Sequence, residues 1–103
     1  MALKFLSAEE ITVSATAIGI TSTLLVNSAG EDLGVLRADF QHVSGGKMWV
    51  LVGTPLTGGG AGEFERVVGD EWRVVGSEDI AGFKMIEQSG EDDGVVSVNL
   101  YGA

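Results

Sequence analysis

The sequence predicts a small all-β domain, an antiparallel β-sandwich with a jelly-roll-like or partly open barrel arrangement of about eight strands. Three observations predict it. Apolar and polar residues alternate with period two in residues 11–15, 35–41 and 95–101, the pattern of strands with one buried face. Sixteen glycines stand against one proline, which supplies many tight turns. No stretch long enough for a regular helix carries a 3.6-residue apolar period.

The first ten residues, MALKFLSAEE, are set apart as an N-terminal arm, and residues 11–103 as one domain. The segment SAEE (7–10) matches a capping box, but the β-branched ITVSAT that follows argues against a helix. In ITVSA, Ile11, Val13 and Ala15 alternate with Thr12 and Ser14, and near Ala17 the phase slips. A bulge or a new strand accounts for the slip, with TLLV (23–26) continuing as β and NSAGEDLG (27–34) as a polar loop.

VLRADFQHV (35–43) is the next strand, with Leu36, Ala38 and Phe40 expected inward and Arg37, Asp39 and Gln41 outward. SGG (44–46) turns the chain. KMWVLV (47–52) is apolar almost throughout, which predicts a central strand covered on both faces. GTPLTGGGAG (53–62) is expected to be a surface connection, with Leu56 its one large apolar group.

EFERVV and EWRVV flank Gly69-Asp70, a hairpin pattern because glycine supplies a positive φ. GSEDIAG (76–82) predicts one helical turn, with Ser77 as cap and Glu78 and Asp79 in the first turn. FKMIEQ (83–88) is a strand and SGEDDG (89–94) a loop. In the last strand Val96, Val98 and Leu100 face one way, and Ser97, Asn99 and Tyr101 the other.

Composition narrows the function. The chain carries 6 basic and 15 acidic residues, a net charge of −9. Six scattered cations do not make a phosphate-binding surface, so no nucleic-acid partner is expected. The absence of cysteine excludes disulfides, thiolate metal sites and cysteine nucleophiles, and it favours a reducing compartment. The apolar run at the start is too short for a signal peptide, and no stretch is long enough to span a membrane as a helix.

The motifs that resemble chemistry fall short of it. A P-loop needs a lysine and a hydroxyl after its second glycine, and Gly58 is followed by Gly59 and Gly60. G-x-G-x-x-G fails at Glu63. SGEDDG matches the first positions of an EF-hand loop but holds Leu100 where a bidentate glutamate is required, so it is read as a solvated acidic turn. The single histidine, His42, has Ser44 nearby but no nucleophile elbow, and is read as a structural or interface residue. Fifteen acids make carboxylate pairs inevitable and therefore uninformative. Trp49 and Trp72 are expected in the core, and Tyr101 at an interface. No enzyme activity and no cofactor are expected.

The second half orders VLVGTPLTGG, GDEWRVVG, IAGFKMI and DDGVVSVNLYG. This succession, over about residues 50–102, resembles small β-rich structural virion proteins of tailed bacteriophages. The matching positions are Gly53–Pro55, Gly69–Val74, Ile80–Ile86 and Asp93–Tyr101; the TGGGAG insertion departs from the pattern. The resemblance implies a protein assembled in the bacterial cytoplasm and resident in the virion, most simply a capsid decoration or cement protein. It implies the major capsid protein or another virion protein as partner, and supplies no catalytic residues. A tail or baseplate component, or a small carbohydrate- or protein-binding module using Trp49, Trp72 or Tyr101, are the alternatives. A homo-oligomer, with a trimer favoured, would cover the strand edges. The residues expected at the partner interface are Leu3, Phe5, Leu6, Leu56 and Tyr101.

Overall fold

The computed structural model describes residues 3–52 and 63–103; the expected surface loop and Leu56 lie outside the described residues. Seven strands form two sheets, an open β-sandwich that does not close into a barrel. The four-stranded sheet has the order β1-β7-β2-β5, with β1 at Lys4–Val13, β2 at Val35–Ser44, β5 at Glu71–Val75 and β7 at Gly94–Gly102. The three-stranded sheet has the order β4-β3-β6, with β3 at Met48–Val52, β4 at Phe64–Arg66 and β6 at Phe83–Glu87. Every pairing between these strands is antiparallel.

The period-two pattern becomes the core. Val96, Val98 and Leu100 of β7 lie between Ile11 and Val13 of β1 and Ala38 and Phe40 of β2. Met48 and Val50 of β3 and Phe83 and Met85 of β6 face them from the second sheet. Three aromatic rings join the layers. Phe40 stacks on Trp72 at 5.4 Å within the large sheet and meets Phe83 of the small sheet at 4.7 Å. Such pairs add to the area they bury.

Several sequence expectations need correction. Residues 4–10 are not a separate arm: they pair along β7 from Gly102 to Ser97 as the first part of β1. Residues 23–26 do not continue as a strand; Ser22–Leu24 form a 3₁₀ turn, and Val26 makes an isolated bridge to Asp32. β3 is central but buried on one face, since Met48 and Val50 are buried while Trp49 and Leu51 are half-exposed. Trp72 is likewise half-buried, at the edge of the core.

Gly69-Asp70 forms a tight turn, with Gly69 at φ 96°, but not a hairpin. The two flanking strands enter different sheets, because the turn binds β2 instead. Gly69 N donates to the His42 carbonyl, and His42 N donates to the Asp70 carbonyl, both at 2.9 Å. The Asp70 carboxylate locks the turn by accepting from Val67 N at 2.9 Å. The helix α1 spans Ser77–Gly82 with Glu78 and Asp79 in its first turn, as the sequence predicts, but its cap is Gly76 rather than Ser77.

His42 is 1 % exposed on the inner face of β2, and neither ring nitrogen has a hydrogen-bond partner. An orphaned buried polar group costs about 1–3 kcal/mol. His42→Leu is therefore expected to hold or raise the melting temperature. Leu100→Ala, which empties a fully buried site on the central strand, is expected to lower stability by about 2–5 kcal/mol. Thermal melting of His42→Leu and urea denaturation of Leu100→Ala check the two expectations.

Candidate functional site

One end of the four-stranded sheet gathers apolar groups that the core does not use. β7 ends there, between the starts of β1 and β2. On both neighbouring strands the register slips by one residue: between Phe5 and Ser7 opposite Tyr101 and Leu100, and between Val35 and Arg37 opposite Gly102 and Tyr101. These are β-bulges, in which two residues oppose one and the extra side chain leaves the alternation. The extra residues are Leu6 and Leu36, which are 41 % and 40 % exposed. A third slip, between His42 and Ser44, extrudes Val43 at the far end of β2.

The bulge at Leu36 overturns the expectation that this residue points inward. Ala38 and Phe40 keep the inward phase, but the extra residue lets Val35 turn inward and leaves Leu36 outside. The Leu36 carbonyl is still satisfied, accepting from Gly76 N at 2.9 Å. Each bulge sits at an apolar doublet in the sequence, Phe5-Leu6 and Val35-Leu36.

Phe5, Leu6 and Tyr101, three of the residues expected at an interface, come together at this end. Phe5 is 59 % exposed, and its ring meets the Tyr101 ring edge-on at 5.9 Å. Leu3 is half-buried just before β1. Sequence reasoning missed Leu33, Leu36 and Val75, all exposed; Val75 lies across from Arg37.

Charge at this end is unlike the rest of the chain. The Arg37 guanidinium lies 4.2 Å above the Tyr101 ring, a cation–π contact that holds the ring in place. Asp39 is shared by two arginines: Arg73 Nε donates to Oδ1 at 2.9 Å, and Arg37 Nε forms an ion pair with the same oxygen at 3.2 Å. Two arginines thus share one aspartate beside the exposed apolar groups, on a molecule whose net charge is −9. Beyond Asp39 the outer face of the sheet turns to uncharged polar groups, Gln41, Ser97 and Asn99, which line a shallow depression with Glu71 and Arg73.

The acidic loop before β7 has a structural use. Glu91 Oε1 accepts from Lys47 N at 3.0 Å, and Gly46 N donates to the Asp92 carbonyl at 3.2 Å. Among the described residues no group of three histidine, aspartate or glutamate side chains converges as metal ligands do.

Comparison with family models, with curated proteins and with solved structures finds no match. The class is therefore set by the structure itself: an open all-β sandwich.

The acidic loop has a consequence for pH. A hydrogen bond with Asp93, partial burial and the charges of Asp93 and Asp92 together raise the Glu87 carboxyl above its ordinary 4.5. A carboxyl raised in the folded state favours the protonated form. Its contribution is full below about pH 4.5 and is lost as pH climbs through the raised value. Glu87→Gln is expected to raise the melting temperature at pH 7 and to flatten its fall between pH 4.5 and 7. Thermal melts across that range check the sign.

Proposed function

We propose that this protein is a structural component of a tailed-bacteriophage virion, a capsid decoration or cement protein that docks on the shell by protein–protein contact. In this reading it catalyses nothing and needs no cofactor. The observation that carries it is the pair of bulges at which Leu6 and Leu36 stay exposed, at the same end of the sheet as Phe5 and Tyr101. A strand that only has to cover a core has no need to eject leucine into water. Bulges gather at sheet edges and beside functional sites, where they re-aim side chains. A contiguous apolar patch on a small soluble domain suits a partner surface, with aromatic and arginine side chains as anchors. The likeness of residues 50–102 to phage structural proteins supports the choice of partner, with the major capsid protein first and a tail protein second.

The same reading gives the protein a homo-oligomeric state on the particle, with a trimer favoured, because its edge strands have backbone groups free to pair. Light scattering of the free protein at high concentration is expected to show a mass above the 10.7 kDa protomer.

The docking surface has its own test. The double variant Leu6→Ser, Leu36→Ser is expected to lose co-sedimentation with shells lacking the native protein. Its stability should change by only about 1 kcal/mol or less, because both side chains are already exposed. Binding to isolated tails and not to shells would move the protein to the second partner.

A further inference from the structure

The two sheets part along one side, between edge strands β4 and β5. Register places Phe64 beside Val50 and Val52 beside Phe83, all on the inner face of the small sheet. Phe64 is nevertheless 63 % exposed, and Val52 is exposed too, because the large sheet does not cover this stretch. The result is a cleft of about 280 Å³ walled by Val50, Val52, Phe64, Trp72, Val74 and Phe83. Such space, mostly apolar with a few polar groups, is how small-molecule sites are built.

The polar side chains lining this cleft, Arg66, Trp72 and Arg73, are all donors. Arg66 lines it, with its guanidinium 5.2 Å from the centre of the Trp72 ring. Arg66 Nε and Trp72 Nε1 are both buried and have no hydrogen-bond partner. Neither group can accept, so only an acceptor can satisfy them. Arg73 also borders the cleft, but its charge is already committed to Asp39. Arg66 Nε has no such commitment, being buried without a hydrogen-bond partner. A cation held against an aromatic ring in an apolar cleft, with two orphaned N–H groups, is a site short of an anionic acceptor.

We propose that the cleft between β4 and β5 binds an apolar carboxylate, a ligand with a hydrocarbon or aromatic body and a single carboxylate. The body lies against Val52, Phe64 and Phe83, and the carboxylate meets Arg66 beside the Trp72 indole. The chemistry has two sources: a free small acid, or the apolar carboxy-terminal residue of another protein. The inference is independent of the docking role, because the cleft lies between the sheets rather than at the bulged end.

Isothermal titration of the full chain with octanoate, octanol, a tripeptide ending in phenylalanine and the same tripeptide amidated tests it. Binding of octanoate or of the free-carboxylate peptide is expected, with at least a tenfold loss for octanol and for the amide. Tighter binding of octanoate assigns a free acid, and tighter binding of the peptide assigns a protein terminus. Arg66→Met is expected to weaken the carboxylate at least tenfold while leaving octanol unchanged. Trp72→Phe, which keeps an aromatic ring but removes the N–H, should weaken it several-fold. Melting curves of both variants show that they are folded. No binding of either carboxylate at millimolar concentration, or equal affinity for octanol and octanoate, overturns the proposal.

Discussion

The last strand is the constraint on which the rest of the fold depends. β7 alternates without a break over its whole length, with every second residue from Gly94 to Gly102 buried. It is paired on both sides, with β1 and with β2, and its inward residues Val96, Val98 and Leu100 are fully buried. Its ends are as tightly fitted as its middle. A Cβ at Gly94 would lie 2.7 Å from Met48 Cε, and one at Gly102 would lie 2.6 Å from Leu6 Cδ1 and closer still to the Gly34 carbonyl oxygen. Because β7 is regular, its neighbours take up the irregularity. All three register slips in the large sheet fall on β1 and β2, and each one extrudes an apolar side chain.

That arrangement connects sequence to surface. A bulge reverses the phase of a strand, so residues on its two sides can both serve the core while the inserted one serves the outside. In β2 the bulge gives Val35 to the core and Leu36 to the surface. The register that keeps β7 straight sets where the inserted positions fall, near the end of β7, and leucine occupies both. Tyr101, the last large outward residue of β7, is held there from both sides, by Phe5 edge-on and by Arg37 across its face. The apolar end is rigid, because each of its anchors belongs to a hydrogen-bonded strand.

The class of fold was legible because alternation with period two is the direct consequence of strands with one wet face, and stretches of β1, β2 and β7 have that form. The last strand was readable to its faces. The sandwich was also legible in its turns, where Gly69 and Asp70 do what glycine and aspartate do in a tight turn. Less legible was everything that depends on partners distant in sequence. The turn at Gly69 looks the same whether its flanks pair with each other or with different sheets; hydrogen bonds to His42 decide it. Residues 4–10 read as an arm because a lysine, two glutamates and an apolar run give no clean alternation, and the bulge at Leu6 is the reason. Phe5, Leu6 and Tyr101 were singled out from residue type and strand phase, but Leu33, Leu36 and Val75 arrive at the same end only through the pairing order β1-β7-β2-β5. Arg66 could not be singled out at all, since nothing in EFERVV shows that β4 lies at an open edge.

The measurement that tests the central claim most directly is hydrogen–deuterium exchange of the protein alone and mixed with the phage shells proposed as its partner. If the bulged end is the docking surface, binding slows exchange at residues 4–7, 33–37 and 101–103 and leaves the acidic 89–93 loop unchanged. Protection confined to the 89–93 loop or to the outer face of the small sheet, with the bulged end exchanging as in the free protein, would contradict it.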